Sequence, residues 1–416
     1  MNKKLVGACI IGQSGGPSSV INSSVLGAIK TALNAKEITR VYGANHGIVG
    51  VLNEELIDLE LEDINELDLL RFTPSSALGS CRHKLKDPNV DDSEYLKILE
   101  TFKKYDVRYF FYNGGNDSMD TCNKISKFCL EHGYECNVIG IPKTIDNDLY
   151  GTDHCPGYAS SAKYIATSLM EIYLDTNVYD YGNITVVEIM GRNAGWLAGA
   201  SCLAQISGFG PDLIYLPEVP FILEDFVDQV YEVYKKRGKA LIAVSEGIKD
   251  LDGVYVSEYG QQGKEKDNFG HVQMGGLATY LAQIIKVKTG AKVRGIELSL
   301  LQRCSAHIAS KTDYDEAYMA GETAVVAAIN GETDKMVGFE CSRENGYTCK
   351  TKLVPLSEVA NVEVKVPTAW INETHNGVTQ DFIDYLLPLI QGETELPKEN
   401  GLPRFAKLKK ILVDKK

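Results

Sequence analysis

The amino-acid sequence predicts a doubly wound α/β protein, and three observations carry that reading. Apolar runs of strand length alternate with helix-period segments along most of the chain. Two of these runs, Val107 to Tyr112 and Asn137 to Ile141, lead into loops that gather glycine and charge: Gly114-Gly115-Asn116-Asp117-Ser118 and Pro142-Lys143-Thr144-Ile145-Asp146-Asn147-Asp148. The length of 416 residues suggests two or three domains at ~150 residues each. Open α/β sheets bind ligands beyond the carboxyl ends of their strands, so the two loops form the first candidate site. Glycines let a backbone approach a phosphate. Carboxylates hold a metal or take a proton, and a lysine neutralises phosphate oxygens.

The chain opens with a strand from Leu5 to Ile11, then the loop Gly12 to Pro17, then a helix to about Asn34 with Ser18 or Ser19 as its cap. Successive backbone N–H groups in such a loop can cradle a phosphate, although neither GxGxxG nor a Walker loop is present. The acidic, leucine-rich segment 54–70 reads as a solvated helix face. Leu78 to Arg82 reads as a turn presenting one arginine. Asp117 to His132 reads as a helix ended by Gly133, with Met119, Cys122, Ile125 and Cys129 as its core stripe. Ser160 to Leu174 is a further helix. The β-branched run Asn183 to Met190 is a strand ending in Gly191-Arg192, and Lys239 to Val244 a strand ending in Ser245-Glu246-Gly247. Segment 257–275, polar and rich in glycine, reads as a mobile loop. Val293 to Arg303 carries Arg294 and Arg303, and Asp315 to Ile329 is a helix. From Asn330 onward the pattern weakens into an appendage with a solvated, lysine-rich end at 407–416.

Composition excludes several classes. A hydrophobic content of 44% with 24% charged residues is that of an ordinary globular protein. The net charge of -13 argues against a general nucleic-acid binder. An acidic protein with an anionic substrate must concentrate its cations locally, and Arg82, Lys143, Arg192, Arg294 and Arg303 are the candidates. The N-terminal apolar run is too short to span a membrane and reads better as a first strand than as a signal peptide. The expectation is a cytoplasmic protein with no membrane partner. The ten cysteines contain no CxxC pair and read as reduced thiols, and the seven histidines show no zinc spacing.

Taken together, Gly15-Gly16 with Asn22, Leu78 to Arg82, Gly114 to Ser118, Pro142 to Asp148, Met190-Gly191-Arg192, Ser245-Glu246-Gly247, and Arg294 with Gln302-Arg303 resemble the phosphofructokinase family over most of residues 1–330. The resemblance implies transfer of a phosphoryl group to the 1-hydroxyl of fructose 6-phosphate with magnesium. It also implies two doubly wound α/β domains with the site in the cleft between them, plus a C-terminal extension. The domains expected are 1–157 for the phosphoryl donor, 158–302 for the sugar phosphate, and 303–416 as a returning segment and extension packing on both. A homodimer or homotetramer is expected.

The implied roles agree with the residue chemistry. Asp146 matches the general base, with Asp148 as its electrostatic partner and Thr144 bonding the transferring group. Gly16 and Arg82 match the donor phosphate site. Met190, Gly191, Arg192 and Glu246 match residues at the sugar and the transition state, and Arg294 and Arg303 match arginines that hold the 6-phosphate. Ile145 and Leu300 complete the expected substrate contacts. Asn116 and Asp117 match the magnesium position. Members that use ATP carry glycines where this chain has Asp117 and Lys143, whereas members that use pyrophosphate carry the same pair. The donor implied is therefore diphosphate. Three positions depart from the commonest pattern. Asn116 replaces an aspartate, a poorer hard-cation ligand. Asn183 replaces an arginine that reaches a neighbouring subunit, and Leu300 replaces a histidine. The alternatives kept open are an ATP-dependent enzyme, a non-catalytic subunit of the same fold, and an enzyme acting on a related sugar phosphate such as sedoheptulose 7-phosphate.

Overall fold

The computed structural model describes residues 4–260 and 276–415. Most of the expected 257–275 loop lies outside the described residues; Val256–Gly260 forms a short 3-10 turn. Two main sheets are built from β1 (Gly7–Gln13), β2 (Ile38–Ala44), β3 (Leu56–Asp58), β4 (Val107–Gly114), β5 (Asn137–Pro142), β6 (Asn183–Ile189), β7 (Leu213–Tyr215), β8 (Lys239–Ser245), β9 (Lys292–Glu297), β10 (Lys335–Ser342) and β11 (Thr348–Pro355). The chain divides into two units. The first comprises Met1–Gly157, Ala309–Glu363 and Gly392–Lys416; the second comprises Tyr158–Ile308 and Val364–Gln391. The second unit thus runs past the expected end at residue 302 and takes back a later segment.

The first unit holds a sheet in the order β11-β10-β5-β4-β1-β2-β3. Its centre, from β10 to β2, is parallel, and β11 and β3 are antiparallel edges. The chain winds from β1 outward to β2 and then returns to β4 on the other side of β1. The topological switch point therefore lies between β1 and β4, where doubly wound folds bind ligands. Strands β1 and β4 are buried along almost their whole length, as expected for parallel strands covered on both faces. The second unit holds a parallel sheet in the order β7-β8-β6-β9. In it the carboxyl ends of β6 and β8 lie side by side.

Several sequence expectations need correction. Segment 54–70 is not a solvated helix: it forms β3 and two short helical turns, and Leu56, Ile57, Leu59, Leu67 and Leu70 are core. The first helix, Ile21–Leu33, starts beyond Ser18 and Ser19 and has no side-chain cap; both serines are buried. The helix Asn116–Glu131 is capped by Gly115 rather than by Asp117 or Ser118. The region after Asn330 completes the first sheet, because Met336 to Phe339 is fully buried against it. The lysine-rich tail docks on the same unit. The backbone N–H groups of Lys407, Lys409 and Lys410 donate to Glu66 and Glu62, and the Asp58 N–H donates to the Ile411 carbonyl at 2.9 Å. The core stripe Met119, Cys122, Ile125 and Cys129 is buried as expected. Among the described residues, no helix is long and apolar enough to cross a membrane.

Helix Lys311–Ile329 crosses helix Ile21–Leu33 at glycine contacts. A Cβ on Gly27 would lie 2.2 Å from the Tyr318 carbonyl, and one on Gly321 would lie 1.8 Å from the Ser24 carbonyl. Neither neighbour can yield, since both are backbone. Gly321→Ala is therefore expected to push the helices apart and cost about 1–3 kcal/mol. Denaturant unfolding measures this, and an unchanged midpoint would contradict the packing.

Candidate active site

In the first unit, three strand ends meet. After β1 the chain turns through Ser14, Gly15 and Gly16. Gly15 has φ of 75° and its N–H donates to the Cys81 carbonyl at 3.1 Å, while Ser80 Oγ donates to the Gly15 carbonyl at 2.7 Å. After β4, Gly114 leads into the helix that starts at Asn116; a Cβ on Gly114 would lie 2.0 Å from Ser118 Oγ. After β5 comes Lys143, only 4% exposed. Its N–H donates to the Gly114 carbonyl at 3.0 Å and its Nζ donates to the Gly16 carbonyl at 2.5 Å. A Cβ on Gly15 would stand 3.4 Å from that Nζ. The lysine charge thus lies inside the glycine cradle.

Beyond Lys143 the loop carries the two carboxylates. Thr144 Oγ1 accepts the Asp146 N–H at 3.1 Å and also hydrogen-bonds the Asp148 carboxylate. Asn147 between them has φ of 55°, a conformation asparagine tolerates. Its buried Oδ1 accepts the Cys155 N–H at 2.8 Å and so pins the turn. Burial, and then the Asp146 carboxylate, push the Asp148 carboxyl up to about 7. Asn116 Nδ2 donates to Asp148 Oδ2 at 3.3 Å. The remaining oxygens, Asn116 Oδ1 and Asp148 Oδ1, are buried without a protein partner. Unpartnered hard oxygens on two adjoining side chains are the kind of donor a small divalent cation takes. Asp117, at the next position, is half-exposed and pairs with Lys84 at 3.3 Å. Ile145 is buried and Arg82 is exposed. Lys84 escaped the sequence reading, because nothing marks it among the other exposed lysines.

In the second unit, Met190 and Gly191 follow β6 and Glu246 follows β8. Gly191 has φ of 136°, and a Cβ there would meet the Ala194 carbonyl at 2.6 Å. Its N–H donates to Glu246 Oε1 at 3.3 Å, and its carbonyl accepts from Ser245 Oγ at 2.6 Å. A Cβ on Gly247 would lie 2.0 Å from the Arg192 carbonyl, so only glycine fits under that turn. Buried Gln302 accepts the Met190 N–H at 3.1 Å and donates to the Ser299 carbonyl at 3.0 Å. It thereby ties the end of β6 to the short helix Leu301–Cys304, which carries Arg303. The sequence contained the pair Gln302-Arg303 but gave no sign of this tie. Glu246 lies close enough to Arg192 and Arg303 for their charges to act on its titration. Leu300 is exposed at the start of that helix. Arg294 is not brought to this cluster: it pairs in register with Thr185 near the start of β6, and faces Asn183 at 3.4 Å and Asp175 at 3.6 Å.

A family profile described as Phosphofructokinase matches residues 8–296. A pyrophosphate–fructose 6-phosphate 1-phosphotransferase from Halomonas elongata is 43% identical over 408 residues, spanning 97% of this chain and 96% of the relative. One of the same description from Methylococcus capsulatus is 41% identical, spanning 97% and 96%. The crystal structure of a pyrophosphate-dependent phosphofructokinase from Nitrosospira multiformis superposes with a TM-score of 0.89 at 39% identity, covering 99% of this chain and 98% of the other.

Burial pushes the Glu246 carboxyl up to about 7, helped by the Glu188 charge and opposed by the Gly191 N–H and by Arg192 and Arg303. A raised folded-state value means that the fold holds this proton more tightly than the unfolded chain does. The resulting penalty is absent below the ordinary value of 4.5, grows as pH rises, and is complete above about 7. Ligand-free Glu246→Gln keeps the Gly191 hydrogen bond and removes the charge. It is expected to gain on the order of 2–3 kcal/mol over the parent at about pH 8 and nothing at about pH 4. Unfolding curves at the two pH values check the sign.

Proposed function

The chain belongs to the phosphofructokinase family, and from that membership and the residues of each unit we infer the reaction it catalyses. It reversibly transfers a phosphoryl group from diphosphate to the 1-hydroxyl of fructose 6-phosphate, giving fructose 1,6-bisphosphate and phosphate. The observation that carries the donor assignment is Lys143. Its ammonium sits within the glycine cradle, bonded to the Gly16 carbonyl at 2.5 Å. A donor without a nucleoside needs its charge met at the phosphates themselves, and Lys143 supplies that.

Asp146 accepts the 1-hydroxyl proton as the oxygen attacks the terminal phosphorus. The Thr144 hydroxyl accepts the Asp146 N–H and also bonds the Asp148 carboxylate, so one side chain ties the base's backbone to its neighbour. Lys143 neutralises charge on the transferring oxygens, where preorganised contacts act most strongly, and the match to the family assigns Arg192 a transition-state role. Gly16 and Arg82 bind the diphosphate. Asp117 disfavours the longer polyphosphate of ATP by charge repulsion, and Lys84 holds that carboxylate in place. Asn116 and Asp117 are the residues that would hold magnesium, beside the unpartnered oxygen of Asp148. The ion, when bound, supplies charge neutralisation to the diphosphate oxygens.

In the second unit, Glu246 accepts hydrogen bonds from sugar hydroxyls. Arg303 holds the 6-phosphate through its planar fork, with Met190, Gly191 and Leu300 flanking the sugar. Arg294 stands with Asn183 toward the other end of its sheet. Its role at a 6-phosphate therefore needs a second copy of the chain, and we assign a homo-oligomer on that ground. Charged sugar phosphates and diphosphate are retained by membranes, which puts the working enzyme in the cytoplasm.

The test supplies diphosphate and ATP separately with fructose 6-phosphate, and follows the reaction in both directions. Diphosphate is expected to support turnover and ATP is not; equal use of the two would overturn the donor assignment. Asp146→Asn keeps the shape of the side chain and is expected to cut turnover ~10²–10⁴-fold with a much smaller change in KM. Lys143→Ala is expected to lose ~10²–10³-fold in diphosphate-dependent turnover with its circular dichroism unchanged. Near-normal turnover in either variant would move the role elsewhere.

A further inference from the structure

Away from the site, β10 and β11 place two cysteines directly opposite each other, Cys341 against Cys349. Residues facing each other across an antiparallel pair have Cα atoms about 4.5–5.5 Å apart, inside the window a disulfide spans. Both thiols are free, both are only partly buried, and they hydrogen-bond to each other. The third member is His154. It is 1% exposed, with Nδ1 at 3.0 Å from Asp153 Oδ1 and Nε2 at 2.6 Å from Glu316 Oε2. Cys341 Sγ stands 3.9 Å from His154 Nδ1 and 3.5 Å from the Tyr347 hydroxyl. Tyr347 donates to Glu316 Oε1 at 2.6 Å, and Arg343 donates to both oxygens of Asp153 at 2.8 Å.

We propose that Cys341 and Cys349 form a reversible thiol–disulfide couple, with Cys341 as the attacking thiolate, Cys349 as the resolving thiol and hydrogen peroxide as the oxidant. The electrostatics favour this division of labour. Burial alone would lower the His154 pKa, but the hydrogen bonds to Asp153, Cys341 and Glu316 outweigh it and keep the imidazole cationic. The Cys349 thiol, and then that cation, hold Cys341 down at about 6, while Cys349 itself is raised. A lowered thiol pKa with partial exposure is what makes a cysteine reactive.

In the first step the Cys341 sulfur attacks one peroxide oxygen and the O–O bond breaks. The leaving hydroxide takes a proton and departs as water. The sulfur loses two electrons, becoming a sulfenic acid, and the peroxide gains them. In the second step the Cys349 sulfur attacks the sulfenic sulfur. The S–S bond forms, the S–O bond breaks, and the second water leaves with the Cys349 proton.

A metal ion is the competing use of the cluster, because ligating atoms of Asp153, His154 and Cys341 lie within 4.8 Å of one another. A metal needs a neutral ring nitrogen. Both His154 nitrogens face carboxylates, and Arg343 already takes both Asp153 oxygens. The hairpin is also tied to the catalytic loop: the Phe339 carbonyl accepts the Asp153 N–H at 3.0 Å, and the Phe339 N–H donates to Thr152 Oγ1 at 2.9 Å.

The test treats the reduced full-length protein with hydrogen peroxide, alkylates it in denaturant and digests it with trypsin. Cleavage after Arg343 separates the two cysteines, so the couple appears as peptide 336–343 linked to peptide 344–350. The linked pair is expected to form and to disappear with dithiothreitol. Cys349→Ser is expected to stop at a Cys341 sulfenic acid that dimedone captures, and Cys341→Ser to leave Cys349 unmodified. Iodoacetamide labelling of wild-type Cys341 should show a midpoint well below the ordinary thiol value of about 8.5. Absence of the linked peptide, an ordinary labelling midpoint, or stoichiometric zinc binding that Cys341→Ser abolishes would each overturn the proposal.

Discussion

Lys143 is almost wholly removed from solvent, and burying an ammonium costs on the order of several kcal/mol unless oxygens surround it. The first unit meets that demand with backbone. The Gly16 carbonyl takes the charge, the Gly114 carbonyl takes the lysine N–H, and glycine at both turns lets the main chain come close enough to do so. The ends of β1, β4 and β5 are thereby held to one another through one residue. The carboxylate loop that follows inherits its position from the same anchor, and Thr144 holds the Asp146 N–H and the Asp148 carboxylate within it.

The two units use electrostatics in opposite senses. In the first, one buried cation is met by a backbone carbonyl, and in the loop that follows Asp148 is pushed up to about 7 by burial and the Asp146 charge. In the second, one carboxylate sits among guanidinium groups and is raised by burial in spite of them. Burying either charged group has a cost that the surrounding dipoles and opposite charges offset only in part.

The legible part of the sequence was local. Strands such as Val107 to Gly114 carry a run of four aromatic residues, Tyr109 to Tyr112, and close on glycine, and the loops after them could be read residue by residue. What escaped was set by register and by distance along the chain. Only Met336 to Phe339 of β10 is a fully buried run, and β11 alternates lysine and threonine, so the edge of the first sheet resembled an appendage. Segment 54–70 has enough acid on it to suggest a solvated face, yet Leu56, Leu59, Leu67 and Leu70 are core, and Ala406 and Leu408 of the C-terminal tail pack against the cluster that holds the last three. Arg294 lies in a readable strand, but its neighbours depend on pairing with Thr185 rather than with a residue near Met190. No local pattern encodes that choice. His154 likewise shows its meaning only beside Glu316 and Cys341, which are distant in sequence.

The division of the chain into Met1–Gly157, Ala309–Glu363 and Gly392–Lys416 on one side, and the intervening segments on the other, bears on biosynthesis. β5 needs β10 beside it, yet most of the second unit must be polymerised first. At about 5–20 residues per second, the ribosome leaves the growing sheet with an open edge for roughly ten to forty seconds. Such an edge invites pairing with a neighbouring nascent chain on the same message. The segment that closes that edge is the hairpin bearing Cys341 and Cys349.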